Sequence, residues 1–282
     1  YYSITSQLQK NFQDGFSAML AYTYSYAKNF GDGSGDQINN LWSLPFQSNG
    51  NSNIAELGYT SNVVPHRLVG SASYTANWIG KLNTSMTLFY SGSSMGRYSY
   101  NYGADFNRDG QTNDLMYIPA DKSELIFADI AAGQSNYGGQ AFTAQQQADL
   151  FWSIVEGDDY LRSRKGKYTE RNGAVAPWRH QFDFRLSQEI FKNVGGANNS
   201  LEFFWDVFNI GNLFNSSWGI YKINNNILLT PANTTSINPT GTTIPTFRMG
   251  YANGDIIREL QRPNETISST YYMQFGMKFK FN

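Results

Sequence analysis

The chain has 282 residues, enough for one large domain or two small ones, and its net charge of −1 argues against a general nucleic-acid binder. It has no cysteine and only two histidines, which excludes a disulfide framework, a cysteine-based metal or redox site and a histidine-rich metal centre. Mean hydropathy is −0.46, and no stretch approaches the roughly 18 consecutive apolar residues of a membrane helix, so any membrane-spanning form has to be a closed barrel, the other architecture that satisfies its backbone in lipid.

The first strand is predicted over residues 1–12 and ends in a tight turn at Gln13-Asp14-Gly15, where Asp-Gly is the hairpin signal. Residues 16–27 (FSAMLAYTYSYA) form the second. Side chains of a strand alternate with period two, so Phe16, Ala18, Leu20, Tyr22, Tyr24 and Tyr26 share one face and Ser17, Met19, Ala21, Thr23 and Ser25 the other. One face is apolar and ends in tyrosines; the other is small and mostly polar. A loop runs to about residue 65. The third strand, 66–75, places Leu68, Gly70, Ala72 and Tyr74 together, and after a turn at 77–81 the fourth, 82–91, does the same with Leu82, Thr84, Met86, Leu88 and Tyr90.

A long excursion occupies 92–177. The fifth strand, 178–191, directs Trp178, His180, Phe182, Phe184, Leu186 and Ile190 outward and Arg179, Gln181, Asp183, Arg185, Ser187 and Glu189 inward. After a short turn at 192–199, the sixth, 200–209, directs Leu201, Phe203, Trp205 and Val207 outward and Glu202 and Asp206 inward, with Phe204 and Phe208 breaking the polar face. Another long loop reaches about 268 and contains candidate short strands at 224–229 and 246–251. The last strand, 270–281, sets Tyr271, Met273, Phe275, Met277, Phe279 and Phe281 outward and Gln274, Lys278 and Lys280 inward.

Soluble sandwiches and propellers use strands of about 5–6 residues and mostly short connections. Strands of about ten residues or more, with every second connection very long, instead predict an all-β antiparallel transmembrane β-barrel with short periplasmic turns and long extracellular loops. The aromatic content of 16% suits interfacial girdles. Arg179, Asp183, Arg185, Glu189, Glu202 and Asp206 are then the lumen-facing candidates. Seven strands are an odd count, whereas bacterial single-chain barrels have an even number. The pattern therefore predicts either an eighth strand or membership of a larger barrel. The heavy loops, and an opening that reads as a strand with no leader before it, favour a part of a longer chain.

Residues 105–114 (DFNRDGQTND) carry the sharpest local signal. Asp105, Asn107 and Asp109 precede Gly110 at alternate positions, as oxygen ligands do in an EF-hand-type calcium loop. Gln111, Asn113 and Asp114 extend the candidate ligand set, because Met116 stands where the bidentate glutamate belongs. An ion-free polar turn is the alternative. Residues 143–156 predict a helix with a Thr143/Gln146 capping box and a stripe of Leu150, Phe151, Ile154 and Val155 packed inside the loop. The charge-rich run 165–173 (KGKYTERNG) lacks phosphate-loop spacing and reads as a solvated or internally paired loop. Nothing in the sequence groups His66 or His180 with a nucleophile and an acid, so no enzyme is expected.

Three runs carry a family resemblance: GKYTERNGAVAPWRHQFDFRLSQEIF (166–191), FFWDVFNIGNLFNSSWG (203–219) and the ending YYMQFGMKFKFN (271–282). They resemble the C-terminal barrel region of TonB-dependent outer-membrane receptors, in particular the Oar-like branch of Bacteroidota and relatives, and 105–119 is similar to that branch as well. The resemblance covers about two-thirds of the chain, from residue 105 to the end. It implies a barrel of about 22 strands with a plug inside, located in the bacterial outer membrane and driven by the inner-membrane TonB complex through a plug-bearing N-terminal part that these residues do not contain. It also implies that Tyr271, Phe275, Phe279 and Phe281 form the C-terminal signal read by the barrel-assembly machinery, although Phe281 is penultimate here. Outer-membrane lipid is the expected surrounding partner. A surface lipoprotein or other subunits are left open, as is a passive porin-like channel or an adhesive surface barrel.

Overall fold

The structure, a computed structural model, describes residues 1–31, 47–50, 54, 56–109, 112–196, 198–232 and 244–281. Seven long strands form one sheet in strict chain order, each antiparallel to its neighbours. They are β1 (Tyr2–Asn11), β2 (Phe16–Tyr26), β3 (His66–Ile79), β4 (Leu82–Ser94), β5 (Trp178–Lys192), β6 (Ser200–Phe208) and β7 (Tyr272–Lys280). At about 3.3 Å per residue even the shortest reaches roughly 30 Å. Among the described residues β1 pairs only with β2 and β7 only with β6, so the sheet is open at both edges. No helix among the described residues is long and apolar enough to cross a membrane.

The alternation predicted for the seven strands matches the register. One face aligns Leu8, Leu20 and Gly70, then Tyr90 with Phe182, Leu88 with Phe184, and Trp205 with Phe275. The other carries cross-strand hydroxyl pairs, Ser3 with Ser25 and Thr5 with Thr23 at 2.9 Å, and Ser73 with Thr87 at 2.9 Å. Such directly opposed pairs fix the register, since a one-residue slip would turn every hydroxyl onto the apolar face. The β1–β2 turn is as tight as Asp-Gly predicts: Asp14 and Gly15 both take positive φ, 68° and 80°, and a Cβ on Gly15 would come 2.1 Å from the Thr75 carbonyl oxygen.

Two local differences from the sequence reading have physical causes. β3 runs on towards its turn, to Ile79 instead of residue 75, because the ladder resumes beyond an irregularity between Ala76 and Ile79, and β4 starts at Leu82 as expected but continues to Ser94, paired with Trp178. In β5 a bulge between Glu189 and Phe191 shifts the alternation by one. Phe191 instead of Ile190 then takes the apolar position, opposite Leu201 and with its ring 6.2 Å from that of Phe279.

The buried core does not belong to the sheet. Its cluster is built from residues of the two long excursions after β4 and β6, among them Tyr100, Met116, Ile118, Phe151, Leu228, Leu229 and Met249. These segments form a cap at one end of the sheet, stitched by short strands such as Leu229–Pro231, Thr246–Met249 and Ile126–Phe127. The predicted helix is present as α1 (Ala144–Gly157). The Thr143 side chain accepts from the Gln146 amide, and the Gln146 side chain accepts from the Thr143 amide. Its buried face is Gln147, Phe151, Trp152, Ile154 and Val155.

Gln147 is fully buried, and its amide joins three chain segments: Nε2 donates to the Ala128 carbonyl at 2.8 Å, and Oε1 accepts from the Met249 amide at 3.0 Å. Replacing Gln147 by Ala leaves both backbone groups buried without a side-chain partner, at about 1–3 kcal/mol each. We expect Gln147→Ala to accelerate limited proteolysis within residues 95–177 by at least tenfold while the strands of the sheet stay protected.

Candidate functional site

The six inward-facing charges all occur on the polar parity of the sheet. Arg185 and Asp206 face each other across β5 and β6 and form a bidentate pair, Nε to Oδ1 at 2.5 Å and Nη2 to Oδ2 at 2.7 Å. Asp206 is buried, whereas the Arg185 side chain is 58% exposed and covers the Phe204 ring at 5.1 Å. Asp183 accepts from the Asn209 amide at 2.7 Å and from the Gln181 side chain at 2.9 Å. Glu189 accepts from the Asn83 amide at 2.9 Å and aligns with Glu202, which in turn opposes Lys278. Arg179 is drawn to the cap end, donating to the carbonyls of Gly219 (3.0 Å) and Ser268 (2.6 Å). Phe208 stacks on Tyr272 with centroids 4.5 Å apart, which accounts for one of the aromatic breaks in the polar face.

On the apolar face, aromatic side chains gather at both ends of the strands. Phe12–Phe16, Tyr74–Trp78 and Phe279–Phe281 mark the end with the short turns. At the cap end the structure brings together the chain's two histidines, which sequence reasoning did not connect. His66 and His180 both stack on Trp178, at 6.2 and 5.8 Å, and the Nδ1 of each bonds a tyrosine hydroxyl, Tyr22 at 2.8 Å and Tyr90 at 2.7 Å. Gly92 on β4 makes this possible: a Cβ there would lie 2.1 Å from the Tyr90 hydroxyl oxygen. Neither imidazole is placed as a catalytic base; each is held by a phenol within an aromatic row.

The charge-rich run 165–173 is internally paired. Lys165 bonds Glu156 at 2.6 Å. Arg171, buried, donates to the carbonyls of Phe30 (2.8 Å), Asn29 and Glu56 (3.2 Å), tying the segment before β5 to the loop between β2 and β3. Asn172, in the left-handed region at φ 52°, donates its side-chain amide to the Tyr59 carbonyl at 2.9 Å and its backbone amide to the Ser99 hydroxyl oxygen at 2.8 Å. These anchors carried no sequence signal beyond charge, because their partners are backbone atoms far away in the chain. A cavity of about 420 Å³ lies beside them, with Lys28, Arg164, Lys167, Glu56 and Glu170 on its wall.

In the loop 105–114, Asp114 is buried and accepts from the amides of Phe106 (2.7 Å) and Asn107 (3.3 Å). Burial pushes its carboxyl above the ordinary aspartate range, and Asp109 and Asp105 push the same way. Asn107 Oδ1 accepts from the Asp109 amide at 2.9 Å, the Asx turn of the ion-free alternative. Gln111 lies outside the described residues. Among the described residues no three His, Cys, Asp or Glu side chains converge as a metal-ligating group. In the cap core, burial raises the phenols of Tyr100 and Tyr102 and pushes Tyr160 up to about 12.

No family model matches the chain, and neither a curated protein nor a solved structure is similar to it.

The Arg185–Asp206 pair gives a direct stability test. Arg185→Met strands a buried carboxylate, at about 1–3 kcal/mol once the exposure of the guanidinium is taken into account. We expect it to lower the unfolding midpoint in urea, and Arg185→Met/Asp206→Leu, which removes both charges, to recover at least half of the loss.

Proposed function

We propose that this chain forms wall strands and surface loops of an outer-membrane β-barrel that carries out TonB-dependent transport of a large substrate past a plug. The observation that carries the membrane part is the division of the sheet into two faces. Leu8 (74% exposed), Phe275 (64%) and Met277 (73%) belong to an apolar face left largely uncovered among the described residues, rimmed by aromatic side chains at both ends, while the opposite face is hydroxylated and charged. A large bare apolar surface marks an interaction site, and lipid between two aromatic girdles fits this one.

Topology favours a larger barrel. With seven strands in antiparallel sequence, β1 and β7 run in the same direction, so pairing them would create a parallel seam in an otherwise antiparallel sheet. Closure with antiparallel pairs needs an odd number of further strands, which an even-stranded barrel of about 22 supplies. On this reading Arg185, Asp183, Asp206, Glu189 and Glu202 line the lumen or hold the plug, Arg179 braces the cap at its rim, and β7 with Phe275, Phe279 and Phe281 presents the assembly signal. The transport step itself rests on the resemblance of 166–191, 203–219 and 271–282 to TonB-dependent receptors.

The native full-length protein in planar lipid bilayers separates the readings. A plugged transporter is silent until urea displaces the plug and conducts afterwards; a passive porin conducts at once. A protein that leaves the membrane in buffer without detergent overturns both.

A subsidiary proposal is calcium in the loop 105–114, with Asp105, Asn107, Asp109, Asn113 and Asp114 as oxygen donors and Gln111 as a further one. The supporting observation is the buried Asp114 carboxyl beside two other aspartates. A folded pKa raised above the unfolded one contributes stability that is present below the unfolded pKa and lost as pH rises through the folded one. Without the ion, Asp114 therefore destabilises the cap at neutral pH; with calcium that loss is offset. We expect calorimetric Ca²⁺ binding that weakens as pH falls and disappears in Asp114→Asn. No heat at millimolar Ca²⁺ rejects the site.

A further inference from the structure

The apolar face of the sheet does not stop at the cap-end girdle. β6 leaves the sheet through Asn209, in the left-handed region at φ 53°, into the single helical turn α3 (Ile210–Phe214). That segment lies against β5: a methyl placed on Gly211 would sit 3.6 Å from Trp218 and 4.0 Å from Phe182. Its polar groups are engaged locally. Asn212 donates to the carbonyls of Ser216 and Trp218 at 3.0 Å, Asn209 donates to the Gly219 carbonyl at 3.2 Å, and Arg179 clamps the same carbonyl from β5. The apolar side chains turn away instead, with Phe214 75% exposed and Trp218 56%. A segment so internally bonded holds these rings in place; they are displayed, not frayed.

Between this segment and β5 lies a cavity of about 400 Å³ walled by Trp178, His180, Phe182 and Trp218, with Arg179 and Lys222 also on its lining. Among the described residues no aspartate or glutamate lines it. Its floor, Phe182, is part of the apolar sheet face and continues through Phe184 towards Trp205, whose ring lies 6.3 Å from Phe184.

We propose that this cavity holds one anionic lipid of the leaflet from which the long loops emerge, its acyl chain against Phe182 and Trp218 and its phosphate on Lys222. The proposal rests on the sheet spanning a membrane, as argued above. Three observations select a lipid: the cavity borders Phe182 of the apolar face, the rings of Trp178, His180, Phe182 and Trp218 stand on its wall, and its formal charges among the described residues are positive. Tryptophan and basic side chains at headgroup depth are the usual interfacial anchors. Here they enclose a volume instead of standing singly. Exposed Phe214 then enters the acyl region beside the bound lipid.

The test uses the full-length protein reconstituted in phosphatidylcholine vesicles carrying brominated acyl chains, which quench nearby tryptophan. In one series the bromine is on a minor fraction of phosphatidylglycerol, in the other on the same fraction of phosphatidylcholine. The difference between wild type and Trp218→Phe isolates the signal of this site. We expect brominated phosphatidylglycerol to quench that signal with about fivefold higher apparent affinity, the scale of one lysine near a membrane surface, and the preference to vanish in Lys222→Gln, an exposed position whose replacement leaves the fold intact. Equal quenching by the two lipids, or a preference unchanged in Lys222→Gln, overturns the lipid site. If Trp218 fails to respond while Trp205 on the open face is still quenched, the site falls and the membrane reading stands. If neither is quenched, both fall.

Discussion

The whole arrangement depends on a sheet that has no protein core of its own. Its strands place Phe, Leu, Met and Trp on one face; the segment after β6 lies against Phe182 and Val207 is buried, but Leu8, Leu20, Phe275 and Met277 stay exposed, and the buried cluster lies in the cap. In water such a face would be an aggregation surface with two open edges. In lipid the same face costs nothing to expose, and the demand shifts to the backbone, where every amide and carbonyl needs a partner. The long ladders answer that demand inside the sheet, and the open edges are where it remains unmet until further strands are added.

The cap obeys the opposite rule. It has a conventional interior of Tyr100, Phe151, Leu228, Leu229 and Met249, and its stability comes from apolar burial in water and from satisfying an irregular backbone. Strands of two to four residues cannot do that alone. Long-range side-chain bonds do it instead: Gln147 to Ala128 and Met249, Arg171 to Phe30 and Asn29, Asn172 to Tyr59. Arg179 joins the two regimes, rising from the sheet to hold Gly219 and Ser268. The cap gives the long connections a fixed shape at one end of the sheet, which loops free in solvent would lack.

The division explains what was legible in the sequence. Period-two alternation is local, so all seven strands and the parity of Arg185, Asp206 and Phe275 could be read directly. α1 was legible for the same reason, since a capping box and an apolar stripe lie within one segment. The Glu189–Phe191 bulge was not, because it appears only in the pairing of β5 with β6. Gln147 and Arg171 looked like ordinary surface residues; their partners are backbone atoms up to 142 positions away. The meeting of His66 and His180 on Trp178 becomes visible only once the register sets Gly92 between Leu68 and His180 and Ser94 opposite Trp178. In the loop 105–114, Asn107 and Asp114 also tie the loop's own backbone, which the motif alone did not show.

The polar face supplies the last step of the argument. A sheet built only to separate lipid from water could line its inner face with serine and threonine, as β1 to β4 do at Ser3, Thr5, Ser73 and Thr87. β5 and β6 instead carry Arg185, Asp183, Asp206, Glu189 and Glu202, and they make Asp206 buried and twice bonded to its arginine. Desolvating a carboxylate and then restoring it with one half-exposed guanidinium contributes little net stability. What it contributes is a fixed direction for charge: a guanidinium lying on Phe204, an aspartate locked beneath it, and Asp183 bound to the Asn209 amide nearby. Charge is therefore concentrated and oriented on one sector of the wall while the adjoining sector is hydroxylated and smooth. On the proposed barrel reading, that asymmetry gives one sector that holds a plug or a substrate and an adjoining one that lets it pass.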